Sequence, residues 1–231
     1  MAKWLETLKG LWRRGQEGEG QVGDILILIV GISGSGKSSF INAFSIAEGG
    51  PAKVGHTFHA CTSDIRMHAI RLPDELASED SKAASLDSRR VVLVDTPGFD
   101  TGSGDSKALP QITEWVGKQC TRGATLGGIV YMCDISANRV NGAARVIVER
   151  LEKTLDEPNI FQRVVFVTAS WDEVSPEVGT QREEELCSSF WKKLIARGAV
   201  VKRTQNLHGS DPSGHVGVLR HILQSLGTEH A

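Results

Sequence analysis

Cysteine is scarce in this chain of 231 residues, occurring only as Cys61, Cys120, Cys133 and Cys187. The four are widely scattered and show neither metal-ligand nor disulfide spacing, which excludes a disulfide-stapled scaffold or a zinc module. They fit reduced thiols in a cytoplasmic protein. Long apolar runs are also missing. The longest, Ile25 to Val30, is far too short to span a bilayer. Residues 1–14 alternate charged and apolar groups, so no secretory leader is expected. Neither sign of charge dominates: 26 Lys and Arg face 28 Asp and Glu, for a net charge of −2. With both signs interspersed, no global field recruits nucleic acid. No internal repeat is visible. What is present is a 40% hydrophobic content, enough for a sizeable core, in a length that suits one large domain or two small ones.

The chain divides at residue 23. Trp4, Leu5, Leu8, Leu11 and Trp12 recur at helical spacing, which predicts an amphipathic helix over 3–14. Its remaining face is mostly basic (Lys3, Lys9, Arg13, Arg14). Such a helix either folds back on the domain or makes a weak contact with a membrane surface or partner. Gly15 to Gly23 reads as a linker. From residue 24 to 231, short apolar strands alternate with helical stretches. Strands are expected at 25–30, 65–72, 91–94, 128–133, 163–167 and 199–202. Helices are expected from Lys37 to about Ala47 and at 107–120, 141–155, 181–196 and 215–226. The polar stretch 73–88 reads as an exposed insertion. The alternation predicts an α/β domain of three layers around a mostly parallel sheet.

The strongest motif is GISGSGKSS, residues 31–39. It places Gly31, Gly36, Lys37 and Ser38 as G-x-x-x-x-G-K-[ST] requires, between an apolar strand and a helix. Glycines let backbone N–H groups turn inward around phosphate oxygens, and the helix that follows offers its positive end. Lys37 adds a full charge at the β- and γ-phosphates. The Ser38 hydroxyl is a hard oxygen suited to Mg²⁺. Ser33, Gly34, Ser35, Gly36, Lys37, Ser38 and Ser39 are thus the candidate phosphate-binding residues.

The second motif is VVLVDTPGFD, residues 91–100. It sets Asp95 at the carboxyl end of a buried strand, beside the phosphate loop in sheets of this kind. A carboxylate there can hold Mg²⁺, and Gly98 can offer its N–H to the γ-phosphate. Between the two motifs, a threonine ahead of the second strand would complete the metal site. Thr62 is the first candidate and Thr57 the second. Ser38, Thr62 and Asp95 are therefore the expected metal ligands, and Lys37, Thr62 and Gly98 the groups at the bond to be cleaved.

The segments KSSFINA, ACTSDI and DTPGFD resemble the paraseptin group of GTPases, which includes septins, avirulence-induced and immunity-associated GTPases and chloroplast import receptors. The likeness is strongest to fungal G-domain proteins, through GGIVYMCDISANR (127–139), VVFVTASWDEV (164–174) and REEELCSSFWKKLIARGA (182–199). It runs from about residue 24 to 226. The resemblance implies a P-loop NTPase of Ras-like G-domain fold, binding of GTP and GDP with Mg²⁺, and dimerisation across the nucleotide face. It maps the base-reading aspartate onto Asp172. A carboxylate accepts from both N1–H and N2–H of guanine and has no match on adenine. Asn206 lies where such proteins support the base. The sequence departs from the group just before Asp172, where Ala169 and Ser170 stand in place of a long side chain that covers the base. Trp171 either stacks in its place or belongs to the core.

Fast hydrolysis lacks its usual groups. Phe99 stands where a water-orienting glutamine would follow Gly98. The loop has no arginine, and Gly34 occupies the place of the asparagine that recruits a monovalent cation. Arg139 is the best remaining arginine, with a dimer face or an ion pair as its other reading. The sequence therefore predicts a cytoplasmic GTP-binding protein, peripheral to a membrane if the first helix docks there. It would hydrolyse GTP slowly as a switch or assembly module. The competing readings are a P-loop ATPase or small-molecule kinase, for which no arginine-rich lid is visible, and a non-hydrolysing scaffold.

Overall fold

In a computed structural model of the chain, residues 20–54, 64–73, 76, 89–98, 108–137, 149, 159–204 and 213–227 are described. The predicted helices at 3–14 and 141–155 lie outside them except for Glu149, as do residues 77–88 of the expected insertion at 73–88, Cys61 and Arg139.

Seven strands form one sheet: β1 (Ile25–Gly31), β2 (Ile46–Glu48), β3 (Arg66–Ile70), β4 (Val91–Asp95), β5 (Thr125–Asp134), β6 (Val164–Ala169) and β7 (Val200–Arg203). Their spatial order is β2-β3-β4-β1-β5-β6-β7. From β4 to β7 every pairing is parallel. Only β2 with β3 and β3 with β4 run antiparallel, so the expected mostly parallel sheet is present.

Alternation along β1 sorts its side chains onto two faces, as the period of two requires. Leu26, Leu28 and Val30 join one core with Leu109, Ile112 and Val116 of α2 (Ala108–Thr121) and with Leu186, Trp191 and Leu194. Ile25, Ile27 and Ile29 join the other, with Phe40 and Ile41 of α1 (Lys37–Asn42) and Leu219, Ile222 and Leu223 of α5 (Ser213–Gly227). All six β1 side chains are fully buried, each contributing about 1.5–3 kcal/mol of burial. That double burial explains the unbroken apolar run in the sequence, and the result is a three-layer α/β fold.

Two helix expectations need correction. The helix after the glycine loop ends at Asn42, not near Ala47. Asn42 turns its amide onto the chain beyond, donating to Ala52 O (2.8 Å) and accepting from Ala52 N (2.7 Å). This releases Ile46–Glu48 to pair with β3 as an edge strand. The expected helix 181–196 begins earlier, as α3 (Pro176–Glu185), because Ser175 caps it and proline suits its first turn. It continues as a π turn (Leu186–Phe190) and ends with α4 (Lys192–Ile195). Within the predicted linker, Gly23 N donates to Gly123 O (2.9 Å) and Gly20 N to Gln119 Oε1 (3.2 Å). Residues 20–23 therefore lie against the end of α2. Among the described residues no helix is long and apolar enough to cross a membrane.

Candidate functional site

Parallel strands deliver their carboxyl ends to one edge of the sheet, and connections at that edge build the site. The glycine loop leaves β1, DTPG leaves β4, and the Trp171–Glu173 turn leaves β6. The antiparallel β3 starts at the same edge, since Arg66, its first residue, pairs with Asp95. Thr62, four residues upstream of Arg66, lies outside the described residues, as do Thr57, Phe99 and Asn206.

The loop's backbone departs from ordinary conformations at its glycines. Gly34 and Gly36 hold φ of 82° and 87°. A Cβ on Gly31 would lie 2.5 Å from Met132 O and 2.6 Å from Ser35 Oγ, so no other residue fits that strand end. Ser33 and Gly34 face solvent at the tip, Ser38 and Ser39 are half-buried, and Ser35 is buried. Ser35 Oγ has no hydrogen-bond partner among the described residues. Lys37 is buried, and its ammonium donates to Ile32 O (2.9 Å) and Gly31 O (3.3 Å). The cation thus lies along the loop it would serve.

Ser38 Oγ donates to Asp95 Oδ2 across 3.1 Å, and Asp95 is buried. Two hard oxygens from separate elements, Ser38 Oγ and Asp95 Oδ2, meet here. Among the described residues no group of three His, Cys, Asp or Glu side chains could hold a metal. Two protein oxygens suit Mg²⁺, which takes its other ligands from phosphates and water. Thr96, which the sequence reading passed over, fixes this corner. Its hydroxyl donates to Ile29 O (2.8 Å) in a fully buried position, tying the end of β4 to β1. A polar residue directly after a buried strand is the signal that would have found it. Gly98 then packs against the loop, where a Cβ would fall 2.3 Å from Ser33 Oγ and 2.7 Å from Ser33 N.

Asp172 is exposed on the turn that follows β6. Ser170, just before it, has φ 62° and ψ 37°, and is the one non-glycine residue with positive φ among those described. Trp171 is held from below: its Nε1 donates to Thr168 Oγ1 (3.1 Å) and Thr168 O (3.2 Å). The Arg203 guanidinium lies 4.1 Å from its ring centroid. Of the two sequence readings for Trp171, the structure favours the partly buried structural one.

A structure titled as the bacterial selenocysteine-specific elongation factor EF-Sec resembles this fold, with a TM-score of 0.53 and 15% identity. The match covers 91% of this chain but only 29% of that factor, so the chain corresponds in extent to less than a third of it. No curated protein matches the chain. The family described as "50S ribosome-binding GTPase" matches residues 26–168, from β1 through the phosphate loop and DTPG to the end of β6, and the chain belongs to this family of P-loop GTPases.

Proposed function

We propose that this G domain binds GTP with Mg²⁺, hydrolyses it slowly, and acts as a nucleotide-dependent switch or assembly module. The observation that carries the reading is the Ser38–Asp95 contact of 3.1 Å beside a loop whose glycines and lysine suit a triphosphate. Ser38 and Asp95 would hold Mg²⁺, which would supply positive charge to offset the negative charge of the triphosphate. The chain's own groups do the rest. Lys37 exchanges loop carbonyls for phosphate oxygens, Gly98 N–H marks the γ-phosphate, and Asp172 accepts from the guanine edge. Thr62 and Asn206 join them in this reading, as metal ligand and base support.

Slow turnover follows from Phe99, which cannot orient water. We expect single-turnover hydrolysis at or below about 10⁻² s⁻¹. The subtype we infer is paraseptin-like, from KSSFINA, ACTSDI and DTPGFD, with a homodimer across the nucleotide face. The location is cytoplasmic, and the amphipathic segment 3–14 makes a weak membrane or partner contact. A nucleic-acid partner is not proposed, because a net charge of −2 supplies no broad phosphate-binding surface.

Titration of GTP, GDP and ATP, each with and without Mg²⁺, tests the reading. GTP should bind far more tightly than ATP and lose affinity without the metal. In Asp172→Asn, GTP affinity should fall and xanthosine triphosphate should gain, because xanthine has an acceptor where guanine has its amino group. Equal affinity of the wild type for GTP and ATP would overturn the guanine assignment.

A further inference from the structure

The turn that carries Asp172 is held by a closed ring of contacts spread over three elements. Trp171 Nε1 donates to Thr168 Oγ1. Thr168 Oγ1 in turn donates to Glu183 Oε1 of α3 (2.8 Å). Glu183 Oε2 accepts from Arg203 Nε of β7 (2.8 Å) and also from Arg203 Nη2. The same guanidinium covers the Trp171 ring, 4.1 Å from its centroid, which closes the circuit. The sheet register makes this possible, because Thr168 and Arg203 are direct partners across β6 and β7. The indole edge also rests on α3: a Cβ on Gly179 would lie 2.6 Å from Trp171 Cζ3. Beside this ring sits Ser170, in a left-handed conformation that residues with a Cβ seldom adopt and that persists only where the surroundings over-determine it.

We propose that Arg203, Glu183 and Trp171 are positioning residues for guanine recognition. They lock the Ser170 turn so that the exposed Asp172 carboxylate keeps a fixed place at the carboxyl edge of the sheet. In this chain the lock takes over part of the task of the long side chain that Ala169 and Ser170 do not supply. It orders the aspartate from beneath instead of covering the base from above. Arginine suits this role because its planar fork can grip a carboxylate and stack on an aromatic face together. An order imposed before binding lowers the entropic cost of engaging the base. The inference rests on Asp172 reading guanine.

The test compares GTP with ATP, which shares the phosphates but offers Asp172 no matching donors. The full-length wild type should favour GTP by about a hundredfold or more, as expected for two hydrogen bonds to a charged acceptor. Arg203→Gln should weaken GTP about tenfold and leave ATP within about twofold. Arg203→Lys, which keeps the charge without the planar fork, should fall between. Trp171→Phe, which keeps the ring and loses Nε1–H, should also fall between, and should combine with Arg203→Gln less than additively. Arg203 is 46% exposed, so its variants keep the test open if a tryptophan variant fails to fold. An unchanged GTP-to-ATP ratio in every variant would overturn the lock. So would an equal loss for both nucleotides, which would mark the ring as structural only. A wild type indifferent to the base would overturn the guanine reading itself, and the lock with it.

Discussion

Gly98 and Ser33 touch across the mouth of the phosphate loop, so closely that a Cβ on Gly98 would also sit 2.8 Å from Ser33 Cα. Backbone faces backbone here, and neither a rotamer change nor a small side-chain shift would make room. The contact couples the segment leaving β4 to the tip of the loop. A triphosphate entering the loop would meet both at once.

Gly98→Ala should therefore act selectively. The methyl group must push the DTPG segment away from Ser33, at an overpacking cost of about 1–3 kcal/mol. GTP affinity should fall about tenfold or more, whereas GDP, which has no γ-phosphate to reach Gly98, should bind nearly as before. Calorimetric titration of both nucleotides checks this. An equal loss for GDP would show that the glycine serves the loop's fold and not the γ-phosphate.

Lys37→Ala should abolish tight triphosphate binding while leaving the fold intact. In the structure the ammonium lies on the carbonyls of Gly31 and Ile32. What is lost is a set of charge-assisted hydrogen bonds, each of about 1.5–3 kcal/mol. Circular dichroism and thermal melting should match the wild type. Undiminished GTP affinity in the folded variant would sink the assignment of the phosphate site.

The parts of this protein that were legible in the sequence are those set by local, repeating physics. Ile25 to Val30 announces a strand buried on both faces, because only such a strand has no polar side. GISGSGKSS announces its loop because the glycine conformations and the lysine leave few alternatives. Ser38 and Asp95 come together because the loop leaving β1 leads into Ser38 at the start of α1, while Asp95 ends β4, the parallel neighbour of β1. Strand β2 was not, since a three-residue edge strand carries no periodicity. It exists through the Asn42–Ala52 bonds and its pairing with β3. The early start of α3 is written in Ser175–Pro176, a capping side chain followed by a first-turn proline. The Thr168–Glu183–Arg203–Trp171 ring was invisible because its members are brought together by register across two strands and a helix. No spacing in the chain encodes that meeting.

Asp95→Asn separates the metal from the fold. The amide keeps the size of the buried side chain and can still accept from Ser38 Oγ, but it loses the charge that favours a divalent cation. GTP affinity in excess Mg²⁺ should drop about tenfold or more, with little change when chelator is present. The wild type should show a clear Mg²⁺ dependence that the variant lacks. If the two proteins respond to Mg²⁺ identically, Asp95 is not at the metal.

Cys133 gives a pH prediction with a definite sign. Near the end of β5, burial first and the neighbouring Asp134 second push its thiol up to about 12, from an ordinary value of 9.0. The native state therefore keeps the proton through a range in which the unfolded chain releases it. Stability from this group is fully present below pH 9 and declines as pH rises from 9 towards 12, by at most about 1.4 kcal/mol per pH unit. Burial also raises the neighbouring Tyr131 phenol, whose titration adds a loss of the same sign, so the wild-type slope alone does not isolate the cysteine. Cys133→Ala removes the cysteine's own part together with the smaller rise its charge adds to Tyr131, and leaves the larger cause, burial of Tyr131, in both proteins. Urea unfolding at pH 7.5, 9 and 10.5 should show the wild type losing stability more steeply than the variant over the upper interval, with parallel behaviour below it. In the folded protein at pH 8, the Cys133 thiol should react with iodoacetamide far more slowly than after denaturation. Equal slopes together with rapid native alkylation would mean that the thiol ionises normally and that the end of β5 is open to solvent.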